Sequence, residues 1–566
     1  MKRRDKLRVK RKRYYRITAV IIISFLIFEL ISNFTYILYM RLTQENISRL
    51  VNVDMEELLV DYSVFKENGL SHQVNLDECR ILLIGDLADN GNRYIVQELE
   101  YTKENYSIQS DITGTLLFEN IETIILSKSI YTEEEKSEIT ALISKGVDLI
   151  FTKLPDEIQL NTEWGKTTFG VVKDNGNVTY KGLRFISNFF IGDMLELVNY
   201  PVAFRDVELV QGCKVYAYSL MDYYSKDYEE EVPEPEIGLN ENMPPLIWRH
   251  VKGESEIFII NGDFMEKAVS PGIINSVISK LNDIYIYPVV GGKSIYFLGI
   301  PYTSNENTEK MQELYSRDAL GVQQDLIFPG IVHLVSKYNL FPCYYTSDLD
   351  EFLKSSEDKD ISYYMKELTK QTATLGYIND NQDFITYREN KTEFTVLKQW
   401  NSDFLFSNGD NDLFNLPLIE DSISLSESDI LMSKGVTSSY GYMSNIVDLR
   451  GIVYPDDEKE NWVSLQKDLS TMLSYQNEQF GYLDNLNTED TIKRLLIYIL
   501  SEPKITYSEN RIRVFTENFY GEAHFIIRTR NEILEVVGGT YEKIGEEEYM
   551  IYQQEEAMTI IYKEGF

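Results

Sequence analysis

Short apolar runs alternate with amphipathic stretches in the first third of the chain. Arg80–Gly85, Ile121–Leu126 and Val147–Phe151 are continuous and bounded by turn residues, as buried strands are. Asn92–Glu104 and Tyr131–Gly146 lie between them and are predicted to be helices. Strands and helices that alternate at this spacing predict a parallel α/β sheet.

The predicted helix Tyr131–Gly146 has a complete set of start and stop signals. Thr132 is its N-cap, and Glu135 follows three residues later, which is the spacing of a capping box. Acidic residues occupy the first turn, where their negative charge interacts favourably with the helix dipole. Gly146 is predicted to end the helix.

From residue 282 the alternation continues in a less regular form. Strands or strand ends are predicted at Ile284–Val290, Ser294–Leu298, Phe341–Ser347, Asp403–Ser407, Ser422–Glu427 and Ser438–Val447. Helices are predicted at Asn307–Tyr315, Leu326–Tyr338 and Tyr363–Thr374, with Thr488 capping a later one. The alternation is typical of an irregular (β/α) barrel, in which sites lie on loops at the carboxyl ends of the strands.

Residues 503–566 change to a period of two. This pattern predicts a small antiparallel β-domain, with a hairpin turn at Asn531. The predicted fold class is therefore α/β, with a small all-β domain at the carboxyl end.

The run Ile17–Met40 is apolar over 24 residues, enough for a helix to span a bilayer with some tilt. Met1–Arg16 precede it with ten basic residues and one acid, which orients this end toward the cytoplasm. A cleaved signal peptide, the alternative, has a shorter apolar core and a small-residue cleavage site. We predict an uncleaved signal anchor in the cell membrane. Two interpretations remain for its polar residues Glu29 and Asn33. Either the rest of the segment is apolar enough to offset their energetic cost in the bilayer, or they pack against another membrane helix.

Taken together, the patterns divide the chain into six segments. These are a cytoplasmic tip (1–16), a transmembrane helix (17–40), a stalk (41–75), an α/β domain (76–281), a barrel (282–502) and a β-domain (503–566).

The charge is strongly acidic and unevenly placed. The 566 residues include 90 acidic and 55 basic side chains, a formal net charge of −35, so a simple electrostatic nucleic-acid binder is excluded. The tip carries +9 and the remainder −44, which favours a cationic polymer over an anionic one as a ligand. Solubility is an alternative explanation for an acidic surface.

The α/β pattern resembles the class I amidotransferase-like (flavodoxin-like) domain over about Leu76–Met265. The resemblance rests on the strand, the helix "TEEEKSEITALISKG" and the strand "VDLIF", with Pro245–Asp263 as a closing strand pair. In that family a nucleophilic cysteine follows a central strand and a histidine follows the last one. The corresponding loops here, Thr152–Pro155 and Asn261–Asp263, contain neither.

Two other residues of this region, Cys213 and His250, are interpreted as structural. Three cysteines, Cys79, Cys213 and Cys343, are too few for a disulfide framework, and the odd number leaves at least one unpaired. Cys213 is interpreted as a small buried residue and His250 as a strand-surface residue, so acyl transfer is not supported.

The runs "MQELYSRDALGVQQDLIFPGIVHLVSKYNLFPCYYTS" and "YGYMSNIVDLRGIVYPDDEKENW" resemble a second, uncharacterised bacterial family. In it an amidotransferase-like domain precedes a polysaccharide-deacetylase-like barrel, and its members are associated with Pel-type exopolysaccharide loci. The resemblance covers about Leu76–Phe566. It implies a metal site of one Asp and two His, with a further Asp as base and a His as acid.

The chain departs from that metal site. Its four histidines are His72, His250, His333 and His524, and no two are four residues apart on one helix face. The strand end where the family has a TFDDG-like motif reads YFLGIP here, and Asn445 stands where relatives can place a late histidine. We therefore predict no catalytic residue, no metal and no cofactor.

Other polar groups have ordinary interpretations. Asp410 and Asp412 lie in a Gly/Asn turn, Asp325 is a favourable helix-start carboxylate, and His333 is interpreted as a core residue on an apolar helix. Trp400 and the abundant tyrosines are compatible with sugar stacking.

Three functions remain open from the sequence. The leading hypothesis is a membrane-anchored extracellular subunit for exopolysaccharide synthesis, export or modification, non-catalytic or glycan-binding, whose partners are polysaccharide and other membrane proteins. The second is an active carbohydrate hydrolase or deacetylase that uses carboxylates such as Asp410 and Asp412. The third is a structural surface protein.

Overall fold

The computed structural model describes residues 58–62, 72–186, 188–192, 195–220, 243–300, 307–346, 374–378, 384–387, 395–399, 407–408, 414–419, 423, 426–452 and 461–563. Within these ranges no helix combines the length and the apolar character needed to cross a bilayer. The predicted membrane helix Ile17–Met40 and residues 363–373 of the predicted helix Tyr363–Thr374 lie outside the described residues, and Thr374 begins a strand.

A mixed sheet of nine strands forms the first half. Its strands are β1 (Ile81–Ile84), β2 (Tyr106–Gln109), β3 (Thr123–Leu126), β4 (Asp148–Phe151), β5 (Val171–Phe185), β6 (Leu195–Leu209), β7 (Lys214–Leu220), β8 (Pro245–Lys252) and β9 (Ser255–Ile260). Their order is β2-β1-β3-β4-β9-β8-β7-β5-β6. The pairings among β1 to β4 and β9 are parallel, and the other four strands add an antiparallel extension.

Helices cover both faces of the parallel part. They are α1 (Asn90–Tyr101), α2 (Glu133–Ser144), α3 (Glu157–Leu160) and α4 (Glu163–Phe169). Because side chains alternate along a strand, Leu83 of β1 joins the hydrophobic cluster of α1, and Leu82 joins that of α2. This doubly covered arrangement explains why β1, β3 and β4 are continuously apolar.

A second nine-stranded sheet, the barrel sheet, follows helix α5 (Ser270–Leu281) and strand β10 (Ile284–Val289). Its strands are β11 (Gly292–Leu298), β12 (Cys343–Thr346), β13 (Thr374–Ile378), β14 (Phe384–Tyr387), β15 (Thr395–Gln399), β16 (Ser407–Asn408), β17 (Phe414–Leu418), β18 (Tyr442–Asp448) and β19 (Asp484–Asn485). The order is β16-β17-β15-β14-β13-β12-β11-β18, with β19 paired to β11.

Strand β18, at one end of the barrel sheet, contacts β17, which is next to the strand at the other end. Ser444 Oγ of β18 donates to the Pro417 carbonyl at 2.5 Å and accepts from the Ile419 N–H at 3.1 Å. Tyr442 Oη approaches the same carbonyl at 3.5 Å. Among the described residues β17 and β18 form no backbone ladder, and these side-chain contacts bridge the two strands instead.

Helices pack around the barrel sheet. They are α6 (Thr308–Tyr315), α7 (Ala319–Val322), a π-helical turn (Gln323–Ile327), α8 (Phe328–Tyr338), α9 (Glu427–Tyr440), α10 (Trp462–Gln479) and α11 (Thr488–Leu500). Ile295 and Phe297 of β11 point outward into a cluster with side chains of α8 and α10. Because side chains alternate along a strand, Tyr296 and Leu298 point to the opposite face, which is the interior of the barrel.

The remaining strands form two small antiparallel sheets. They are β20 (Glu502–Ser508), β21 (Arg511–Glu517), β22 (Ala523–Thr529), β23 (Glu532–Val537), β24 (Gly539–Lys543), β25 (Glu548–Gln553) and β26 (Ala557–Lys563). The sheets have the orders β10-β22-β25-β24 and β20-β21-β26-β23, and they share one hydrophobic core. The antiparallel pairing predicted for strands of this segment is present, and β10 from outside the segment joins one of the sheets.

Several local predictions were wrong. The predicted barrel strand Ile284–Val290 pairs with β22 of the β-domain, and Asn531 joins strands of different sheets, so it is not a hairpin turn. Ser422–Glu427 was predicted to be a strand end, but Ser426 caps α9 through a capping box with Asp429. The cap of α11 is Asn487, one residue before the predicted Thr488.

Candidate functional site

The candidate site is the mouth of the barrel sheet, at the carboxyl ends of β11 and β18. Active sites of (β/α) barrels lie at this edge, because the loops that follow the strands converge there. Leu298 and Asp448 are opposite each other in the parallel register of the two strands, so both side chains point to the interior. Gly299 and Arg450 come just after the strands.

Asp448 and Arg450 form a bidentate ion pair at the mouth. Arg450 Nε donates to Asp448 Oδ1 at 2.9 Å, and Arg450 Nη2 donates to Oδ2 at 2.6 Å. The Arg450 backbone N–H also donates to Oδ1, at 2.9 Å, so the carboxylate ends the strand as an Asx turn would. The two side chains are 39% and 36% exposed, and both are therefore accessible to a ligand.

A glycine lets the Arg450 side chain lie across the end of β11. Gly299 has φ +77°, a conformation that favours glycine, and a Cβ there would lie 2.7 Å from Arg450 Cγ. The sequence prediction missed this constellation, although the run "IVDLRG" places a carboxylate and a guanidinium directly after an apolar strand.

The barrel interior below the mouth is lined by hydroxyl groups. Tyr296 and Tyr442 are almost fully buried, and burial raises the pKa of each phenol well above its ordinary range. Ser294 Oγ lies 2.7 Å from Thr491 Oγ1 of α11, which closes the opposite end. These groups are neutral donors and acceptors at physiological pH.

The position at which the family resemblance implies a late histidine faces away from the mouth. Asn445 pairs in register with Ile295, which points outward, and its Nδ2 lies 3.9 Å from Met472 Sδ of α10. It lines a cavity of about 20 Å³, room for one water, together with Lys293. Burial lowers the pKa of Lys293 to about 8, and its Nζ donates to the Phe480 carbonyl at 3.0 Å.

All four histidines lie in the described part of the chain, each in different surroundings. His72 lies between Glu100 and Glu502, His250 beside Cys213, and His524 beside Arg494, while His333 is exposed on α8. The interpretation of His333 as a core residue was wrong, because α8 turns Leu334 and Val335 inward instead.

The residues present do not fit the metal site that the family resemblance implies. That site takes two histidines, and no histidine accompanies Asp448, whose oxygens are bound by Arg450. Over the described ranges, no group of three or more His, Cys, Asp or Glu side chains is arranged to hold a metal ion. Asp410 and Asp412 lie outside those ranges.

The structure also brings together two residues that were interpreted as separate and structural. Cys213 Sγ lies 3.7 Å from His250 Nδ1, and His250 Nε2 lies 3.2 Å from the Thr167 carbonyl. If the Nε2 hydrogen is donated to that carbonyl, Nδ1 is left to accept from the thiol. The backbone of Gly170 packs on both side chains: a Cβ there would be 2.9 Å from Sγ.

The environment of this pair keeps it uncharged. Burial raises the pKa of the Cys213 thiol to about 11 and lowers the pKa of His250. A thiol with a raised pKa is a weak nucleophile at neutral pH, so the pair is not activated as it is in thiol hydrolases. The other two cysteines, Cys79 and Cys343, are buried, and none of the three is in a disulfide.

Asp325 has a local structural role. It forms an ion pair with Arg317 just before α8.

Comparisons with known proteins identify a fold. No family model and no curated protein matches the chain. Agd3, described as a novel carbohydrate deacetylase, aligns with 86% of this chain and 98% of its own, at 8% identity and a TM-score of 0.50. This similarity shows a carbohydrate-deacetylase-like fold.

Two further solved structures align over shorter ranges. A ThuA-like protein from Bacteroides uniformis covers 36% of this chain and 90% of its own, at 10% identity and a TM-score of 0.26. The β-galactosidase from Rahnella sp. R3 covers 37% of this chain and 34% of its own, at 10% identity and a TM-score of 0.26. At these scores neither alignment carries an argument about function.

Proposed function

We propose that the protein is a membrane-anchored, extracellular, glycan-binding subunit of a machine that makes, exports or modifies a polysaccharide, and that its barrel does not catalyse deacetylation. The observation that carries this proposal is a carbohydrate-deacetylase-like fold whose chain has all four histidines in separate places. A fold alone does not give a function, so the residues of the site decide.

The chemistry of deacetylation explains why the histidines matter. A metal ion in such a site polarises the acetamide carbonyl and lowers the pKa of the attacking water. Two imidazoles and a carboxylate would hold that ion, and a further histidine would protonate the leaving amine. Among the described residues at the ends of β11 and β18, the carboxylate is that of Asp448, and it is bound by Arg450.

The same mouth is suited to binding a sugar without reaction. Asp448 accepts hydrogen bonds and Arg450 donates them, so the pair can hold neighbouring sugar hydroxyls in one orientation. The acidic chain, with a net charge of −35, favours a polymer that carries free amino groups. We therefore propose a partly deacetylated amino-sugar polymer as the ligand class.

An acetate-release assay tests the non-catalytic part of the proposal. The purified full-length chain in detergent is incubated with N-acetylated amino-sugar oligomers and Zn²⁺, and released acetate is measured. We expect no release above the protein-free control. Turnover that a chelator abolishes would contradict the proposal and would favour an active deacetylase.

The membrane anchor is a separate part of the proposal, supported by the basic tip and the apolar run Ile17–Met40. Protease added to intact cells should digest the bulk of the chain and leave the cytoplasmic tip protected. Protection of the bulk would contradict the topology without affecting the argument about the barrel.

A further inference from the structure

The sheet β20-β21-β26-β23 has one face in the hydrophobic core of the β-domain and one face in solvent. Along β21 buried and exposed residues alternate, and the buried Ile512 and Val514 point into the core. The opposite face, which we call the outer face, carries the alternate residues of the four strands. From β21 these include Arg511, Arg513 and Phe515, and all three are exposed.

The outer face exposes large apolar side chains. Phe515 is 42% exposed, and Leu534 and Val537 of β23 are each 52% exposed. The register places Val537 in one row with Thr559 of β26 and Arg513 of β21, so the apolar and basic side chains share a surface. Exposed apolar side chains that cluster on one face are typical of a surface that binds a partner.

Two arginines of the outer face have no acidic residue directly opposite them. Their neighbours on β20 and β26 are uncharged: Thr506 and Thr559 for Arg513, and Ser508 and Ile561 for Arg511. Neither guanidinium forms an ion pair within the part of the chain that the structure describes. Both are therefore available to an anion in solvent.

The other charges of the outer face nearly balance one another. Lys504 forms an ion pair with Glu517, and Lys563 is opposite Glu532 in the register. The fifth residue of this group, Glu535, is opposite an isoleucine at the edge of the sheet. The centre of the outer face is therefore basic and apolar, which is the composition of surfaces that dock on anionic lipid.

The chain joins the β-domain close to the outer face. Residues 58–62 are the first that the structure describes, and Tyr520 Oη donates to Asp61 Oδ2 at 2.8 Å. Tyr520 follows Phe515 by five residues. Residues 41–57, which connect the predicted membrane helix to this point, span at most about 60 Å when fully extended. A membrane that holds the helix is therefore within reach of the outer face.

We propose that the outer face docks on the anionic phospholipid headgroups of the membrane that holds the anchor. In this arrangement Arg511 and Arg513 bind lipid phosphate groups, and Phe515 inserts between the headgroups. The inference rests on the membrane anchor of the proposed function. Because the chain is tethered, docking is an intramolecular step at high effective concentration, and a small patch is sufficient.

Chemical modification of arginine tests the docking. The full-length chain is reconstituted in nanodiscs of phosphatidylcholine, or of an equimolar mixture with phosphatidylglycerol, and modification by phenylglyoxal is followed by mass spectrometry. Arg511 and Arg513 should react about fivefold more slowly in the anionic nanodiscs, and high salt should abolish the difference. Arg317, which is 47% exposed between α6 and α7, is the internal control and should react equally in both. Equal rates for Arg511 and Arg513 in the two lipids would overturn the proposal.

Variants assign the protection to the outer face. Arg513→Gln and Phe515→Ser change exposed side chains, so neither should disturb the fold. In each variant the protection of Arg511 by anionic lipid should fall at least by half. Leu117→Ser removes an apolar side chain that is 82% exposed near the first sheet, and this matched control should keep the protection. Full protection in all three variants would place the lipid contact elsewhere and overturn the proposal.

The anchor is tested separately in the same samples. Size-exclusion chromatography in high salt removes protein that is held by charge alone and leaves an anchored chain with the nanodisc. A chain that elutes apart from the nanodisc would contradict the anchor and, with it, the docking. A retained chain whose arginines react equally in both lipids would overturn the docking alone.

Discussion

Glu98 is an ionisable side chain in a fully buried environment. It lies on α1, and its Oε1 accepts from Asn275 Nδ2 of α5 at 2.9 Å. Burial raises its pKa from 4.5 to about 8. At neutral pH, Glu98 is therefore protonated in the folded protein and ionised in the unfolded chain.

This shift gives Glu98 a defined pH dependence of stability. Below pH 4.5 both states are protonated; between pH 4.5 and about 8 only the folded state is, so stability falls as the pH rises. The slope is at most about 1.4 kcal/mol per pH unit. Glu98→Gln should remove this contribution, because an amide stays neutral and can still accept from Asn275.

The measurement is the free energy of unfolding by denaturant at pH 5 and pH 8 for both proteins. The wild type should lose on the order of 3 kcal/mol more than Glu98→Gln between these values. Glu134→Gln, an exposed acid on α2, is the control and should follow the wild type. Parallel curves for Glu98→Gln and the wild type would show that Glu98 is ionised in the folded protein.

Cys213 should be unreactive in spite of its contact with His250. Because burial raises the thiol pKa to about 11, the thiolate fraction at pH 7.5 should be on the order of a hundredfold lower than for an ordinary cysteine. Alkylation by iodoacetamide should be correspondingly slow and should accelerate toward pH 11. Cys79→Ala/Cys343→Ala leaves Cys213 as the only thiol for the assay. Rapid alkylation at neutral pH would indicate a thiolate–imidazolium pair and an activated nucleophile.

At the scale of elements, His72 connects helix α1 with strand β20. Its Nδ1 lies 3.1 Å from Glu100 Oε2 and its Nε2 lies 2.9 Å from Glu502 Oε2. Burial opposes the charge on His72, but the hydrogen bonds to the two carboxylates outweigh it and raise its pKa above 6.5. The residue lies in the segment predicted to be a stalk, and here it joins folded elements.

The raised pKa determines when this connection stabilises the fold. Its contribution is complete below pH 6.5 and is lost as the pH rises through the folded-state pKa. His72→Gln should lower the free energy of unfolding by about 1 to 2 kcal/mol at pH 6 and by less at pH 9. His333→Gln, on the exposed side of α8, should have no effect at either pH. A loss for His72→Gln that is the same at both values would mean that the imidazole is neutral.

Elements with strong local signals could be predicted from the sequence. The helix α2 begins at its predicted cap, Thr132, with the predicted Glu135 capping box, and β1, β3 and β4 coincide with the apolar runs. The closing strand pair within Pro245–Asp263 is confirmed as β8 and β9. In these cases local propensity and tertiary packing favour the same structure.

Other elements could not be predicted, because distant residues determine them. The long β5–β6 hairpin is rich in polar residues and interrupted by bulges, so it shows no simple alternation of apolar positions. Cys213 meets His250 only because β7 pairs with β8, although the two residues are 37 positions apart. Asp448 and Arg450 could not be recognised as a candidate site from the sequence. The parallel pairing of β18 with β11 places them at the barrel mouth, and that pairing cannot be read from the sequence.

At the scale of the whole molecule, the acidity of the chain contrasts with the local charge balance of the barrel mouth. The chain has a net charge of −35, whereas the mouth presents a carboxylate paired with a guanidinium. The fold is similar to that of a carbohydrate deacetylase.

The most direct test of the central claim is the affinity of the full-length chain for glucosamine-containing oligomers, measured by calorimetry for three proteins. We expect the wild type to bind, Asp448→Asn to bind about tenfold more weakly, and Asp468→Asn to bind like the wild type. Asp468 is an exposed acid on α10, so its variant makes the same charge change away from the mouth. Absence of binding by the wild type, or equal affinity in all three proteins, would contradict a glycan-binding barrel mouth.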